Sequence, residues 1–414
     1  MKAQEKQFPI SLKTITLVEW DLQGHRLTWL AIFCRACLDL GCEVIAICPE
    51  PERLMRCLES YGAQYLHNKG IRYAGLKTHF SLGRTSKRLV PRRFHSGMEL
   101  RRFGLSLRDT IQGLEWESGR RSDLVFFTCL FEHEKHFAQS AINALRRPWS
   151  GLNTHARVGG SCQATAGGNT FTLGDLFQDD NMVSVAVIDE EMTSVMEQSL
   201  GKPVIWFPEI THDEHRPGHP LERRFRRFAN GSKLVLSIGH LRPNKGILNL
   251  AKVALDPSAA DIAFGFAGEI SWGMFTPQQR ESMERLLSEA PSAIFNLTRI
   301  PYEVEYNAIF CSGDVIFAAY QDFFHSSNTL TKAAIFERPL IVSDGHLMAK
   351  RVREFHLGEV VPQDNPNAIL QAVRRLTDDY PGWLARNNPR WKDYREANSY
   401  SALLTAFTKV LANC

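Results

Sequence analysis

Short runs of consecutive apolar residues alternate along the chain with stretches in which apolar residues recur every three or four positions. The run at Thr14–Trp20, "TITLVEW", is rich in β-branched residues, and the apolar positions between Gly24 and Gly41 recur at helical intervals. Further runs predict strands of the same kind: "CEVIAIC", "DLVFFTCLF", "MVSVAVI" and "KPVIWFP". Strands that are separated by helices of about 10 to 15 residues predict a parallel sheet with both faces covered.

A second series of strands and helices begins at Lys233. Its predicted strands are "KLVLSIG", "IAFGFAG", "DVIFAAY", "PLIVSD" and "GEVVP". The stretch before it, Thr211–Lys233, is rich in Pro, His and Arg and has no apolar period, so we interpret it as an interdomain linker. We therefore expect an α/β fold of two Rossmann-like domains that face a ligand cleft, residues 1–215 and residues 216–395, with residues 396–414 packing back on the first.

Length and composition agree with two globular domains. A chain of 414 residues is too long for one ordinary core, and 44% apolar with 23% charged residues is an ordinary globular composition. The net charge of +4 does not indicate a nucleic-acid partner. No apolar run reaches the roughly 18 to 20 residues of a membrane span, and the N-terminus lacks the apolar core of a signal peptide.

The cysteines fit a reducing compartment. Without an export signal we expect a cytoplasmic protein, in which the nine cysteines are reduced thiols. Cys34 and Cys37 fall on the apolar face of the first predicted helix. The helical pattern already accounts for both, so they are predicted to be packing residues and not a redox pair.

Two loops could bind an anion. In "LSIGHLRPNKG" a strand runs into Gly239, and Arg242 and Lys245 follow just before a helix. Glycine permits close backbone approach, and a helix N-terminus offers N–H groups to phosphate, although a solvated turn would look the same. The second loop has four small polar residues where a helix begins: Ser326, Ser327, Asn328 and Thr329. They are suited to phosphate or sugar hydroxyls. They are also suited to capping the helix, and on these residues alone capping is the favoured interpretation.

The order of these segments resembles a glycosyltransferase of the GT-B fold, most like glycosyltransferase family 4. The resemblance is clearest from Lys233 to Leu376. It rests there on "LSIGHLRPNKG", "SGDVIFAAYQDF", "TKAAIFERPLIVSD" and "LGEVVPQDNPNAILQAV". In the first half it rests on "EWDLQGHRLTWLAIFCRACLDLGCEV" and "VIDEEMTSVMEQSLGKPVIWFPE", while Leu66–Ser122 is not covered.

The resemblance implies a set of site residues. Lys245 would bind the diphosphate of a nucleotide sugar, and Arg242 would supply the charge of a family arginine whose position here is His240. Gly24 would belong to the first glycine turn, and the polar loop before the last helix signal would hold donor phosphates and sugar. His155, in "SGLNTHAR", matches a histidine that lines the sugar site and is the expected catalytic residue.

Two positions depart from the family pattern. The family carries two glutamates on the donor helix, and here those positions are Phe324 and Lys332. A lysine can donate to ribose oxygens but cannot accept hydrogen bonds from ribose. A buried ammonium must be paired, so we expect Lys332 to meet donor phosphate, a carboxylate on the sugar, or a protein acid such as Asp344 or Glu209.

Other polar residues have weaker signals. His25 follows Gly24 at the end of the first predicted strand, and Glu209 follows Pro208; either is a candidate cleft residue or an ordinary loop residue. His133 ends a predicted strand, and we interpret it as an ordinary surface histidine and not as a site residue. With His136 it does not have the spacing of a helical zinc site, so no metal and no cofactor beyond the donor substrate is expected.

A basic stretch lies between the two better-matched parts of the first domain. Arg84–Phe103 contains seven Lys or Arg residues and one acid. Such a run is usually a solvated face, and the alternative is a peripheral contact with anionic lipid at about 1 kcal/mol per basic residue. No clean amphipathic apolar face accompanies it.

The predicted function is a hexosyltransferase-type glycosyltransferase that moves a sugar from a nucleotide-diphosphate donor to a hydroxyl acceptor. The resemblance implies retained anomeric configuration and no metal. The acceptor could be a glycan, a lipid-linked molecule or a small molecule. The alternatives are a non-catalytic GT-B homologue that binds a sugar nucleotide or a partner transferase, and a nucleotide-sugar epimerase of the same fold.

Overall fold

The structure is a computed structural model, and it divides into two compact units. It describes residues 13–22, 24–66, 70–77, 95–130, 135–154, 165–166, 169–170 and 173–414. Unit 1 consists of Met1–Ile210 together with Ser399–Cys414, and unit 2 consists of Thr211–Asn398.

Unit 1 contains a seven-stranded parallel sheet in the order β3-β2-β1-β4-β5-β8-β9. Its strands are β1 Thr14–Val18, β2 Glu43–Cys48, β3 Ile71–Gly75, β4 Leu124–Phe127, β5 Trp149–Asn153, β8 Val185–Val187 and β9 Val204–Trp206. A separate antiparallel pair is formed by β6 Thr165–Ala166 and β7 Asn169–Thr170.

The helices of unit 1 connect these strands. Before β8 they are α1 Arg26–Asp39, α2 Pro51–Ser60, α3 Ala63–Leu66, α4 His95–Ser118, α5 Lys135–Leu145 and α6 Leu173–Leu176. The chain contributes α7 Glu190–Leu200 after β8, and the final helix of the chain, numbered α17, is Tyr400–Ala412.

Alternate strand residues of unit 1 enter two apolar clusters, one on each face of the sheet. Ile15 and Leu17 of β1 pack in the first cluster, whereas Val18 packs in the second. Residues two apart point to the same face of a strand, which is why continuous apolar runs form strands covered on both sides. The C-terminal helix α17 closes the first cluster, where the ring of Phe407 lies 5.1 Å from that of Phe207.

Unit 2 contains a six-stranded parallel sheet in the order β12-β11-β10-β13-β14-β15. Its strands are β10 Leu234–Ile238, β11 Ala263–Ala267, β12 Ala293–Asn296, β13 Val315–Ala318, β14 Leu340–Ser343 and β15 Gly358–Val361. Its helices are α8 Pro220–Ala229, α9 Ile247–Ala254, α10 Pro277–Glu289, α11 Glu303–Ser312, α12 Asn328–Ile335, α13 Leu347–Phe355, α14 Pro366–Thr377, α15 Tyr380–Asn387 and α16 Trp391–Ala397. The expected α/β fold with two Rossmann-like sheets is confirmed.

The interpretation of Thr211–Lys233 as an interdomain linker is wrong for the part that forms a helix of unit 2, although the two units do divide at its start. Residues Pro220–Ala229 form helix α8, with His219 as the N-cap and Pro220 in the first turn. Phe225 and Ala229 of this helix are buried in the unit 2 core, and Leu221 packs against it. The arginines between these positions dominate the composition and obscure a short apolar stripe at helical spacing.

The predicted packing role of Cys34 and Cys37 is confirmed. Both thiols are fully buried in the first apolar cluster of unit 1. Burial raises the pKa of both well above the ordinary range of a cysteine, because the thiolate would lose its hydration. Among the helices that the structure describes, none combines the length and apolar character needed to cross a membrane.

Candidate functional site

The two predicted anion-binding loops of unit 2 follow neighbouring strands. From β10 the chain builds the sheet outward through β11 and β12, and then returns to place β13 on the other side of β10. Ligands of such sheets bind beyond the carboxyl ends of the strands at this point of reversal. The two loops are joined there, since the backbone N–H of Gln321 donates to the carbonyl of Asn244 at 2.9 Å.

A glycine sets how closely these loops approach. Gly246 has φ +70°, and a Cβ atom at this position would overlap the carbonyl oxygen of Ala319, directly after β13. Only glycine combines this conformation with this contact. Gly239, at the end of β10, also has a positive φ, +117°. The loop from Gly239 to Gly246 is thus turned back against the end of the neighbouring strand, with the short 3₁₀ helix Pro243–Lys245 in it.

Arg242 and Lys245 carry positive charge that the described residues do not neutralise. Within the described part of the chain neither side chain has a carboxylate within ion-pair distance, and the Nε atom of Arg242 is buried without a hydrogen-bond partner. The ammonium of Lys245 lies 3.6 Å from the ring centroid of Tyr320 and 4.8 Å from that of Phe323. Two cations that face no acid, one with an unsatisfied buried donor, favour an anionic ligand.

The four polar residues at the start of α12 have different partners. Ser327 is the N-cap, and its hydroxyl accepts from the N–H of Thr329 at 3.4 Å, so the capping role is present. The hydroxyl of Ser326 accepts from the buried guanidinium of Arg351 at 2.8 Å. The Oδ1 atom of Asn328 is buried without a hydrogen-bond partner. This helix start therefore has one satisfied cap and one unsatisfied acceptor.

The buried side chain of Lys332 links three parts of unit 2 through hydrogen bonds. Its side chain is 4% exposed, and its ammonium donates to Glu303 at 2.9 Å, to Asn307 Oδ1 at 2.6 Å and to the carbonyl of His212 at 3.0 Å. The partner acid is therefore Glu303, whereas Asp344 pairs with Arg353. Desolvation lowers the pKa of Lys332, and Glu303 opposes that shift. Its three protons have three protein acceptors, so the ammonium is structural here.

Phe324 stands on the loop between β13 and α12. Its ring is 42% exposed, and its centroid lies 4.2 Å from that of His346. An exposed phenyl ring at this place offers an apolar surface, and it offers no hydrogen-bond acceptor.

His240 follows Gly239 and lies at the surface, where neighbouring residues cover part of its side chain. Its Nε2 atom is hydrogen-bonded to the hydroxyl of Ser271. Partial burial, and then the charge of Arg242, lower the pKa of His240; Glu269 opposes the shift and Lys245 adds to it. The imidazole is therefore neutral over a wider pH range than an ordinary histidine.

Three of the unit 1 candidates, Gly24, His25 and Glu209, lie in the described part of the chain. Gly24, with φ +62°, lies between β1 and α1, and the ring of His25 lies 4.3 Å from that of Trp29. Glu209 follows β9 and is buried. His155 and His133 lie outside the described residues.

Sequence reasoning missed a buried ion pair at the point of reversal of the unit 1 sheet. Glu19 and Arg26 flank the loop that carries Gly24, and they form an ion pair at 3.2 Å. The hydroxyl of Thr128, directly after β4, donates to the same carboxylate at 2.8 Å. The available signal was a charged residue on each side of a glycine turn that follows a buried strand.

In unit 2 the missed residues are Tyr320, Arg351 and Glu303. These three residues lie on different elements, and their spacing along the chain does not indicate that they belong to the site. Their contacts with Lys245, Ser326 and Lys332, respectively, place them there.

Comparison with known proteins gives structural matches alone. No protein-family model matches the chain, and no curated protein matches it in sequence. Sucrose-phosphate synthase (tll1590) from Thermosynechococcus elongatus is similar in structure, with a TM-score of 0.65 at 14% identity, over 96% of this chain and 98% of that chain. Anabaena Alr3699/HepE in complex with UDP-glucose gives a TM-score of 0.65 at 12% identity, over 98% and 100%.

A third similar structure is described as trehalose-6-phosphate from E. coli bound with UDP-2-fluoro glucose. It has a TM-score of 0.66 at 13% identity, over 96% of this chain and 99% of that chain. These likenesses extend over nearly the whole chain, and together with the two parallel sheets they show that the fold is GT-B, as the sequence predicted.

Proposed function

We propose that this protein is a glycosyltransferase of the hexosyltransferase type, resembling family 4. It transfers a sugar from a nucleotide-diphosphate donor to a hydroxyl acceptor, with retention and without a metal ion. The observation that carries the proposal is the unneutralised pair of Arg242 and Lys245 beside the start of α12, at the point of reversal of the unit 2 sheet. The similar structures that contain UDP-glucose or UDP-2-fluoro glucose support this class of donor.

The chemistry follows from where charge develops. As the bond to the sugar breaks, negative charge grows on the leaving diphosphate, and fixed cations and helix N–H groups stabilise it. Arg242 and Lys245 would supply the cations, and the backbone from Ser326 to Thr329 would supply N–H donors. Gly239 lets the loop backbone approach the phosphates. His155, with Gly24 in the first glycine turn, is proposed to act at the sugar, on the strength of the resemblance.

The decisive experiment measures donor binding and donor turnover separately. UDP, UDP-glucose and a panel of other nucleotide sugars are titrated by calorimetry, and release of nucleoside diphosphate is followed with and without candidate acceptors. Lys245→Ala should weaken binding of UDP about ten- to hundredfold, because one charge-assisted contact contributes roughly 1.5 to 3 kcal/mol. Lys252→Ala, an exposed lysine on the following helix, is the matched control and should leave binding unchanged.

Two outcomes would favour other functions. Phe324 and Lys332 cannot accept hydrogen bonds from sugar or ribose hydroxyls, and this observation favours a homologue that binds a sugar nucleotide without turnover. Tight donor binding with no product for any acceptor would support that reading. Interconversion of two sugar nucleotides without transfer would support an epimerase. Failure of every nucleotide to bind would overturn all three.

The proposal includes a peripheral membrane contact through residues 84–103. Of this stretch the structure describes residues 95–103, the start of α4, where Arg101 and Arg102 are exposed. Further along the same helix Trp116 is 88% exposed, and Trp is a residue suited to a membrane interface. Sedimentation with vesicles of anionic and of neutral lipid tests this contact. Equal binding to both, or to neither, would contradict it.

A further inference from the structure

The side chain of Tyr320 touches both parts of the proposed diphosphate site. Its ring centroid lies 3.6 Å from the ammonium of Lys245, which belongs to the loop after β10. Its hydroxyl is hydrogen-bonded at 3.1 Å to Thr329, in the first turn of α12. No other side-chain contact described above joins this lysine to the start of that helix.

Tyr320 is held firmly enough to act as a support. It is 5% exposed, and its neighbour Thr329 is 6% exposed. On one side Ala319 contacts Gly246 so closely that no Cβ atom would fit there, and on the other side the N–H of Gln321 is bonded to Asn244. The backbone that carries the ring therefore cannot move away from the loop of Lys245 without separating these contacts.

We propose that Tyr320 is a positioning residue, which holds the ammonium of Lys245 against the start of α12 so that both face one diphosphate. This inference rests on the proposed function and adds a residue to its site. A lysine side chain has four rotatable bonds, and the face of an aromatic ring attracts its ammonium. Holding the ammonium before the ligand arrives reduces the entropy lost on binding.

The ring and the hydroxyl have separable effects. Tyr320→Phe keeps the ring under the ammonium and removes the bond to Thr329, so UDP affinity should fall less than about threefold. Tyr320→Leu removes the ring, and UDP affinity should fall about tenfold, or roughly 1.4 kcal/mol. The order of these two variants identifies the ring as the part that acts.

A second tyrosine that is hydrogen-bonded to α12 offers a matched control. Tyr394 is fully buried, and its hydroxyl is bonded at 3.3 Å to Thr331, two residues along α12 from Thr329. Tyr394 belongs to α16, and its ring centroid lies 5.2 Å from that of Phe355. Tyr394→Phe and Tyr394→Leu should lower the melting temperature like the Tyr320 variants, and should leave the UDP affinity of the folded protein unchanged.

A double-mutant cycle separates positioning from general support. If Tyr320 acts through Lys245, then Tyr320→Leu should change UDP affinity less than twofold when Lys245 is already alanine. An equal loss in both backgrounds, or a loss of affinity in Tyr394→Leu as large as in Tyr320→Leu, would overturn the proposal. NMR titrations to millimolar UDP keep the weak variants measurable.

A measurement without ligand distinguishes failure of this inference from failure of the proposed function. Reductive methylation with ¹³C-formaldehyde labels the lysine amines, and Lys245→Arg assigns the signal of Lys245. A methyl group over the ring face should be shifted upfield in the wild-type protein and should return to the ordinary position in Tyr320→Leu. An unshifted signal overturns the inference on the wild type alone. A shifted signal in a protein that binds no nucleotide would overturn the proposed function instead.

Discussion

At the scale of single residues, Lys332 shows how the fold accommodates a lysine where the resembled family has a glutamate. A buried ammonium needs acceptors, and it receives them from α11, through Glu303 and Asn307, and from the carbonyl of His212. The ion pair links α12 to α11 at one turn from the proposed phosphate site. We therefore expect Lys332 to hold helix α12 in place and not to contact the donor.

Replacing Lys332 should lower stability in the absence of any ligand. Lys332→Met leaves Asn307 Oδ1 without the ammonium donor and removes the ion pair with Glu303, while the carbonyl of His212 still accepts from the Asn307 amide. We expect a loss of about 1 to 3 kcal/mol, below the range for a fully buried pair, since the Glu303 side chain is 29% exposed. Thermal and urea unfolding of the ligand-free variant measure it, with Lys252→Met as an exposed control. If the variant unfolds like the wild type but binds UDP more weakly, Lys332 is a ligand-binding residue and not a structural one.

His240 should make donor binding depend on pH. In the free protein its pKa is lowered, by partial burial first and by Arg242 next. A bound diphosphate adds negative charge nearby and raises the pKa, so binding takes up a proton at pH values between the two pKa values. UDP-glucose affinity should therefore increase as the pH falls through the interval between these two pKa values, by roughly tenfold for each unit of pKa shift.

The control for this pH dependence is His240→Asn, which keeps a polar side chain that does not titrate. Its UDP-glucose affinity should be nearly constant over the same pH range. UDP-glucose is the suitable probe because its diphosphate has no ionisation in this range. A wild-type profile that is flat, or that is unchanged by the substitution, would remove His240 from the neighbourhood of the phosphates.

At the scale of elements, α8 is the feature that composition concealed. Its four arginines made the stretch look like a solvated linker, yet two of them have structural partners. Arg226 pairs with Asp314 at 2.9 Å, and Arg224 donates to the carbonyl of Phe295 at 2.9 Å. The apolar side of the helix carries Phe225, which is completely buried. The basic face is thus one surface of an ordinary amphipathic helix.

Truncating the buried ring of α8 should destabilise unit 2. Phe225→Ala leaves a cavity beside β10 and β11, and we expect a loss of about 3 to 5 kcal/mol. Arg227→Ala, on the exposed face of the same helix, should change stability by less than about 0.5 kcal/mol. Urea unfolding followed by tryptophan fluorescence measures both. Similar small effects for the two variants would mean that the helix is only loosely attached.

At the scale of the whole molecule, the chain leaves unit 1 after Ile210 and returns to it at Ser399. The returning segment is not an appendage of unit 2, because α17 completes the first apolar cluster of unit 1. Phe407 contacts Phe33, Phe126 and Phe207 there, with ring centroids 5.2, 5.3 and 5.1 Å apart. Unit 1 therefore depends on residues from both ends of the sequence.

Loss of the Phe407 ring should loosen unit 1 and spare unit 2. Phe407→Ala should cost about 3 to 5 kcal/mol, since the ring is buried among three others. Hydrogen exchange followed by mass spectrometry should show faster exchange in β1, β4 and β9, and no change in β10 and β13. Equal acceleration in both sheets would show that the two units unfold together.

The sequence by itself determined the class of fold. Apolar runs such as Thr14–Trp20 can be satisfied only in strands covered on both faces, and the helical repeats between them leave a parallel sheet as the arrangement. The loop after β10 could also be predicted from its own glycine, arginine and lysine, because glycine conformation and side-chain charge do not depend on distant residues.

The tertiary structure decided which side chains meet. Nothing in the spacing of Lys332 indicates that its partner is Glu303 and not Asp344, and nothing near Lys245 indicates that Tyr320 lies beneath it. These contacts join elements that are distant along the chain, and strand order and helix packing bring them together. Local sequence periodicity records which face of an element is buried, whereas the identity of the neighbour depends on the packing of the complete unit.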